Sequence, residues 1–485
     1  MKALLMRSAR APLALLLCVA LGACAVGPNY VRPSAPTSPV YKEAAGWTPA
    51  TPADALDRGD WWTLFGDPVL NGLEARVKVS NQNVASAEAA YRQARALVSQ
   101  QRAALFPTVS LSGSGTRSGS EGGGAVIVNS DGSTSGGVGG GTRSTYRASL
   151  GATWEPDVWG RVRRTVEGAK ASAQASEADL ASATLSAQGE LAADYFGLRE
   201  SDTEVALDQA TVDGYARSLK ITQNRYEAGT IAHSDLLQQQ TQLLNAQADL
   251  AAAQQRRATY EHAIAVLVGE APGNFTLAAV TPATISPTIP DVPVGVPSTL
   301  LQRRPDIAAA ERRMANANAQ VGVQRAAYFP AITLSGSYGF AATELGSLFS
   351  ASNSLWSYGL AIAETVFDGG ARHARVTGAK AAYDQAVAQY RQTVLTALQG
   401  VEDQLIAAKV QAQEFELRRQ ASVAADQAEA MVGNRYRAGQ VSFIELFTAQ
   451  NSAYAARRAL AQAAAQRQTT AVALIQALGG GWKAP

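Results

Sequence analysis

The residues that could take part in chemistry are few and widely spaced. The three histidines are His233, His262 and His373, and no two of them have the spacing of a metal-binding pair. The sequence also has neither a Gly-x-Ser-x-Gly nucleophile elbow nor a Walker motif. We therefore predict that the protein is not an enzyme and uses no cofactor and no metal ion.

Two acidic residues occupy equivalent positions of a motif that occurs twice. Asp235 lies six residues after Gly229, and Glu445 lies six residues after Gly439. Each acid should begin a new helix directly after a tight turn, where the helix dipole favours a negative charge. Taken alone, the pattern indicates two acids that stabilise helix starts.

The N-terminus has the pattern of a secretory signal. Basic residues come first, then a short apolar run over 13–21, then Leu21-Gly22-Ala23-Cys24. The run is too short to span a bilayer. The ending is typical of a bacterial lipoprotein processing site, so we predict a signal peptide over 1–23 and a lipidated Cys24; the alternative is an ordinary signal peptide with a chance cysteine.

Charge and cysteine content exclude several classes of protein. Loss of Lys2, Arg7 and Arg10 with the signal would leave 39 Lys and Arg residues against 40 Asp and Glu residues, which gives no electrostatic reason to bind nucleic acid. Cys18 would leave with the signal too, so no disulfide can form within the mature chain. After the signal, the sequence has no run of 18 or more apolar residues, so it predicts no transmembrane helix.

The chain is an internal duplication. Residues 150–269 recur as residues 360–479 with an offset of 210, and the turn Asn224–Gly229 recurs as Asn434–Gly439. Each copy has a long segment without proline, such as 160–226, which would form about 100 Å of helix. Apolar residues recur every seven positions there, which predicts coiled-coil packing, and each Gly that ends the turn predicts a helical hairpin.

Between the helical segments lie stretches that alternate with a period of two. Residues 332–340 and 356–363 in the second copy, and 146–154 in the first, have apolar or aromatic residues on one face and small or polar residues on the other. A fourth stretch around Val109 and Leu111 alternates more weakly. This pattern is typical of transmembrane β-strands, and the alternative is a soluble two-stranded hairpin per repeat. Four strands cannot close a barrel alone, so several chains would have to share one.

The sequence also predicts the bounds of the two repeats and of the segments that connect or flank them. We predict a Pro-rich tether over 24–68, repeat 1 over 69–269, a Pro-rich linker over 270–302, repeat 2 over 303–480 and a tail over 481–485. The first helix of repeat 1 should run from Leu73 to Leu105. The Gly/Ser-rich loop 112–144 has no following helix start that would make it a phosphate loop, so we interpret it as an exposed loop.

Several motifs in fixed order carry a resemblance to a known family. The chain resembles the outer-membrane channel lipoproteins of tripartite resistance-nodulation-division efflux systems, the NodT-type branch of the outer membrane efflux proteins. The motifs are Cys24–Pro33, Trp61-Trp62 with Phe65-Gly66-Asp67, Pro297-Ser298 with Leu300–Ile307, the two Arg-Tyr-x-x-Gly turns, and Leu478–Trp482. They span essentially the whole chain.

The resemblance implies a mixed α and β fold and a homotrimer. Three chains of four strands would complete a twelve-stranded barrel in the outer membrane, and the helices would continue as a tunnel into the periplasm. Partners would be a periplasmic adaptor protein, an inner-membrane pump and outer-membrane lipid. The tunnel would close at the helical turns that contain Arg225, Tyr226, Gly229 and Gly439.

The resemblance also implies roles for particular residues at this closed end. Arg435 and Tyr436 of the second turn would bond to Asp235 of the first repeat, with Glu445 beside them. Some relatives carry a second acid three residues further on, where this chain has Gln238 and Thr448. The leading hypothesis is a passive exit duct for small toxic compounds such as drugs or metal ions; a polypeptide secretion conduit and a non-channel coiled-coil lipoprotein are the alternatives.

Overall fold

The computed structural model describes residues 25–36, 38, 40–43, 60–119, 127–128, 134–135, 142–280, 289–290 and 304–480. The predicted signal peptide 1–23, Cys24, the linker segments 281–288 and 291–302, and the tail 481–485 lie outside the described residues. Much of the Gly/Ser-rich loop between 120 and 141 does so as well.

The described part of the chain is mostly helical. A short 3₁₀-helix, Trp61–Phe65, comes before the first α-helix. The α-helices are α1 (Pro68–Ser80), α2 (Gln82–Ala103), α3 (Arg161–Glu227), α4 (His233–Leu267), α5 (Pro305–Ala326), α6 (Ala371–Arg437) and α7 (Phe443–Ala477). The pairs α3 and α6, and α4 and α7, have equal lengths of 67 and 35 residues, which confirms the duplication. In the described residues, no helix is both long enough and apolar enough to cross a membrane.

The predicted helix from Leu73 to Leu105 is in fact two helices. The break lies at Asn81, whose backbone is extended between α1 and α2. The Asn81 side chain accepts hydrogen bonds from the backbone N–H groups of Asn83 (2.9 Å) and Val84 (3.1 Å), so it caps the second helix. It also donates to the Leu267 carbonyl at 2.9 Å. The prediction was wrong here because an Asn can leave the helix when its side chain satisfies the freed backbone groups.

Four strands form one antiparallel sheet. They are β1 (Thr108–Gly119), β4 (Thr142–Trp154), β5 (Ala331–Ala342) and β6 (Ser354–Ala363), in the order β1-β4-β5-β6. The short strands β2 (Ile127–Val128) and β3 (Thr134–Ser135) pair with each other inside the loop. The long strands therefore extend further into the predicted loop 112–144 than the sequence indicated. Because β4 pairs with β5, strands of the two repeats share one sheet.

Two compact units divide the chain, and each contains parts of both repeats. Of the described residues, the unit with the sheet comprises those within 25–32, 93–173 and 313–386, and the other comprises those within 33–92, 174–312 and 387–480. In the sheet unit, the Trp159 ring stacks on Phe329 with ring centres 4.8 Å apart, and its Nε1 donates to the Pro330 carbonyl at 2.8 Å. In the second unit, Trp61, Phe65 and Phe196 form a buried aromatic cluster.

The chain directly after Cys24 is fixed within the sheet unit. The Val26 N–H donates to the Trp159 carbonyl at 3.0 Å, and the Arg164 guanidinium donates to the Gly27 carbonyl and to Asn29 Oδ1 (2.9 Å). Gly27 has a φ of 109°, and a Cβ there would lie 2.5 Å from the Gly322 Cα atom. The first described residues therefore dock by backbone contact that excludes larger side chains.

Candidate functional site

The two helical turns have the same backbone geometry. The Gly229 N–H donates to the Tyr226 carbonyl at 2.8 Å, and the Thr230 N–H donates to the Arg225 carbonyl at 2.9 Å. Gly439 and Gln440 make the same pair of bonds in the second turn, both 2.9 Å long. These are the bonds of a Schellman motif, which needs a left-handed residue, and both glycines have φ near 70°. Repeated Asn-Arg-Tyr-x-x-Gly thus specifies two equivalent helix ends.

In each turn, a tyrosine near the end of one long helix packs against an aromatic ring at the start of the next helix. The Tyr226 ring packs against His233, the first residue of α4, with ring centres 5.2 Å apart. At the equivalent positions, the Tyr436 ring packs edge-on against Phe443, with ring centres 6.1 Å apart. Each tyrosine therefore links the end of one long helix to the start of the next, which holds the hairpin turn in shape.

The two predicted acids begin their helices in different ways. Glu445 forms a capping box with Ser442, in which the Glu445 N–H donates to Ser442 Oγ and the Ser442 N–H donates to the Glu445 carboxylate, both at 3.3 Å. Asp235 is the third residue of α4, whose N-cap residue Ala232 cannot cap through its side chain, and the Ser234 hydroxyl donates to Asp235 Oδ1 at 3.4 Å. The Glu445 carboxylate is thus held at the helix start, whereas the Asp235 carboxylate keeps most of its bonding capacity for another group.

One contact joins the turns of the two repeats. Arg225 Nη1 donates to the Tyr436 hydroxyl at 3.1 Å, and the guanidinium carbon lies 5.6 Å from the centre of the Tyr436 ring. Arg225 is exposed and Tyr436 is half-buried. A cation over an aromatic ring at an exposed position stabilises by about 0.5–1 kcal/mol. We call this pair the cross-repeat contact.

The structure brings together only part of the predicted gate. Tyr436 and the turn residues do meet, but the partner of the Tyr436 hydroxyl in one chain is Arg225. The side-chain contact of Asp235 is with its neighbour Ser234. The link from Asp235 to Arg435 and Tyr436 therefore stays a prediction. The signal for Arg225 was present in the sequence, since the same Arg-Tyr pair stands in both turns.

Sequence reasoning missed a row of buried polar residues on α3. The Glu204 carboxylate forms ion pairs with Arg256 of α4 and with Arg458 of α7. In the pair with Arg458, Nε lies 2.5 Å from Glu204 Oε1. The Tyr454 hydroxyl of α7 donates to Asp208 Oδ1, and the Tyr215 hydroxyl bonds to Asn451 Oδ1 at 2.7 Å.

These contacts fasten α3, a helix of repeat 1, to α7 of repeat 2. Burial raises the pKa of Asp208, although its bond from Tyr454 acts in the opposite direction. Burial also raises the pKa of Glu200, and the neighbouring Glu204 carboxylate adds to the rise. A buried carboxylate without full bonding is costly, so these residues are constrained by their partners.

The two faces of the sheet differ in chemistry. Cross-strand pairs on one face are apolar or aromatic, such as Ile332 with Ile362 and Tyr338 with Trp356. Pairs on the other face carry hydroxyls: the Ser112 and Ser149 Oγ atoms lie 2.9 Å apart, and those of Ser337 and Ser357 lie 2.8 Å apart. The sheet thus has one face that suits lipid and one that suits water. This confirms the alternation that the sequence predicted.

Comparison with known proteins assigns this fold and these turns to a family. Residues 75–270 and 296–480 match the model of the outer membrane efflux proteins. The chain is 31% identical over 466 residues to the toluene efflux pump outer membrane protein TtgC and to the antibiotic efflux pump outer membrane protein ArpC, both from Pseudomonas putida. Each match covers 95% of this chain and 93% of the relative.

A solved channel has the same fold. The outer-membrane channel OprN superposes with a TM-score of 0.84 at 31% identity, over 95% of this chain and all of that one. Both architectures are mostly helical with a small sheet. The family model matches most of the chain, and the relatives have almost the same length. This chain therefore belongs to the outer membrane efflux protein family.

Proposed function

We propose that three copies of this chain form one duct that passively conducts small toxic compounds from a periplasmic adaptor and an inner-membrane pump to the outside. As a member of its family, the chain acts in the outer membrane as the exit component of an efflux pump. Relatives named for toluene and antibiotic efflux support small organic compounds as cargo.

The observation that carries this proposal is the sheet. Its apolar face includes Leu150, Leu334, Tyr338, Trp356 and Leu360, and each of these is exposed in the single chain. Within the described strands, β1 and β6 each pair on one side only. Unpaired edges are not tolerated in lipid, so β6 of one copy would pair with β1 of the next. Three copies would give twelve strands with the hydroxyl-bearing face inward.

The helices also carry exposed apolar residues that could contact neighbouring copies. Exposed apolar residues recur at intervals of seven or fourteen positions on α4 and α6, and we call them the exposed stripes: Leu237 and Leu244 on α4, and Val410, Leu417 and Met431 on α6. Such spacing is the pattern of a coiled-coil seam. We infer that the stripes pack between neighbouring copies and extend the duct away from the membrane.

The helical turns would be the gate. Asp235 of three copies would face one another at the narrow end, and Arg225, Arg435 and Tyr436 would hold them, while Glu445 would add negative charge beside its capping role. Two carboxylates about 4 Å apart repel by about 1 kcal/mol in water and about 4 kcal/mol at an effective dielectric constant of 20. Closure would therefore depend on the cationic and phenolic partners, and an adaptor could reverse it.

Lipidation of Cys24 would anchor the assembly. Ala25 lies against Gly160, six residues beyond the end of β4, where its Cα would be 2.8 Å from a Cβ at that glycine. A lipid on the preceding residue would thus enter the membrane beside the helix-proximal end of the sheet. More than one acyl chain is needed for a stable anchor, as lipoprotein processing provides.

The test is a resistance profile in the native host. Deletion of this gene should lower the minimal inhibitory concentrations of several small organic compounds, and a plasmid copy should restore them. A plasmid copy with Pro at Leu360, which breaks β6 in the membrane wall, should not restore them. Unchanged resistance after deletion, together with absence of channels from the purified protein, would contradict the proposal.

A further inference from the structure

The hydroxyl-bearing face of the sheet also carries two arginines. Arg143 stands opposite Ser118 in the register of β4 with β1, and Arg147 stands opposite Ser114. Both serines lie on the same face as Ser112, whose hydroxyl meets that of Ser149 across the strands. Both arginine side chains are exposed. The polar face therefore presents two guanidinium groups, about 13 Å apart along β4.

These charges have no acidic counterpart in the strands. None of the four long strands, β1, β4, β5 and β6, contains Asp or Glu. The rest of the polar face consists of Ser, Thr, Gly and Ala with Leu355. The charged side chains that the four strands place on this face are thus all positive, and the dipoles of hydroxyls and glycine backbone do not cancel a full charge.

A third arginine on the same strands provides a contrast. Arg117 stands opposite Ser144, one position out of step with Arg143 and Arg147, so it lies on the apolar face. Arg117 is exposed as well and lies at the same end of the sheet. A lipid-facing arginine at the end of a strand can reach the headgroup region. A variant at Arg117 therefore distinguishes the effect of a charge at this end of the sheet from the effect of a charge inside the duct.

All three arginines lie near the loop end of the sheet. Arg143 is the second residue of β4, and the other end of β4 leads into α3. If the helices extend into the periplasm, the loop end is the outer mouth of the duct. This orientation and the inward polar face rest on the proposed function.

We propose that Arg143 and Arg147 of three copies form a cationic ring at the outer mouth, which favours anionic cargo and opposes the re-entry of cations. Equivalent arginines of neighbouring copies are separated by four strands, or about 19 Å along the wall. This exceeds the Debye length of about 8 Å at physiological salt, so the six guanidinium groups repel one another little. They nonetheless attract mobile anions into the narrow space that they surround.

The ring would act opposite in sign to the gate. Asp235 and Glu445 would attract cations, whereas the ring would attract anions. The cargo class that the mouth favours is organic anions, whose charged groups would meet the guanidinium groups of the ring.

The experiment measures ion selectivity of purified channels in planar bilayers. Reversal potentials are compared in KCl gradients at about 0.01 M and at about 1 M, where the Debye lengths are about 30 and 3 Å. We expect R143S/R147S to lower the chloride-to-potassium permeability ratio by roughly twofold or more in dilute salt, and to have little effect in concentrated salt. R143K/R147K should keep the wild-type ratio because it keeps the charges.

The matched control is R117S, which removes an arginine at the same end of the sheet from the other face. It should leave the permeability ratio unchanged in both salts. Citrate, a trivalent anion at neutral pH that is added as its sodium salt, should block wild-type channels from the loop side and block R143S/R147S channels less.

Three outcomes would overturn the inference. An unchanged ratio in R143S/R147S would do so. An equal change in R117S would assign the effect to surface charge instead of the mouth. If no protein forms channels, wild type included, the proposed duct itself fails, and this outcome is distinct from open channels with unaltered selectivity.

Discussion

Arg225 of the first repeat donates a hydrogen bond to the Tyr436 hydroxyl of the second repeat, and its guanidinium group lies over the Tyr436 ring. The two residues stand 211 positions apart, yet the duplicated turns bring them together. This is the one cross-repeat contact between the two turns among the described hydrogen bonds and ring contacts. In our account it is a component of the gate, because any outward movement of one hairpin relative to the other must break it.

Arg225→Ala should open the duct. Each contact stabilises closure by about 1 kcal/mol, so three acting together would shift the ratio of closed to open channels by up to about a hundredfold. Tyr436→Phe should have a smaller effect, because the ring remains under the guanidinium while the hydrogen bond is lost. Single-channel recordings in planar bilayers measure both as a rise in mean conductance. Asp235→Ala should also raise conductance, and Arg435→Ala should do so in part.

The matched control for the gate is Tyr226→Phe. It makes the same chemical change at the equivalent position of the first turn, where the tyrosine ring packs on His233. Conductance should stay at the wild-type level. If Tyr226→Phe and Tyr436→Phe act alike, the hydroxyl of Tyr436 has no special role. Glu445→Gln should lower cation preference more than it changes opening.

Leu417→Glu should weaken the trimer. Leu417 lies in the exposed stripe of α6 and is 66% exposed in the single chain, so the substitution should cost the isolated chain little. A carboxylate in an apolar seam between copies must be desolvated, which costs several kcal/mol. The trimer band in gels without boiling should disappear at a lower temperature. Ala412→Glu, which adds the same charge at an exposed site five residues away and therefore on a different face of the same helix, should not shift it.

Glu74→Gln should stabilise the helical part of the protein at neutral pH. Glu74 is fully buried in α1, and neither of its carboxylate oxygens has a hydrogen-bond partner in the described part of the chain. Burial raises the pKa of Glu74 from 4.5 to about 9, although the charge of Lys78 acts in the opposite direction. The folded chain then holds a proton that the unfolded chain releases, so this group lowers stability progressively as the pH rises from about 4.5 to about 9.

At pH 7 this penalty is on the order of 3 kcal/mol. The amide has no proton to lose, so Glu74→Gln should raise the midpoint of thermal unfolding at pH 7–8 and reduce the loss of stability between pH 5 and 8. Circular dichroism of the helical signal measures both. Glu88→Gln, at an exposed position on α2, is the control. A lower midpoint for Glu74→Gln than for wild type would show that the carboxyl group makes a bond that a Gln amide cannot replace.

Cys24→Ser should release the N-terminus from lipid. Mass spectrometry of the mature wild-type protein should find a first residue at position 24 that carries acyl chains. The variant should be less well retained in membranes, while its sheet still inserts, because the strands and not the anchor carry the apolar face. An unmodified residue 24 in the wild-type protein would contradict this prediction.

Repeated patterns in the sequence predicted the long elements well. Proline-free segments and heptads located α3 and α6, and the alternation of apolar with polar residues located β4, β5 and β6. These features are local, since a helix or a strand shows its period in its own residues. The weak alternation around Val109 underestimated β1, whose length is set by pairing with β4.

Features that depend on distant partners could not be predicted in the same way. Asn81 breaks a helix because the Leu267 carbonyl and the start of α2 satisfy its side chain. Arg225 pairs with Tyr436 in a geometry that only the packed turns define. Glu204 and Asp208 look like ordinary exposed acids on α3, and their burial follows from Arg458 and Tyr454 about 250 positions later. The periodicity of a sequence predicts which face of a helix is polar, but it does not predict which polar residue on that helix is buried.

The central claim is that three chains share one duct. The most direct test is to measure the mass of the protein in purified detergent complexes by light scattering, after the contribution of the detergent has been subtracted. Our account predicts a protein mass of three chains, because β1 and β6 each need a partner strand from a neighbouring copy. A stable, well-dispersed single chain with its full strand content would contradict it.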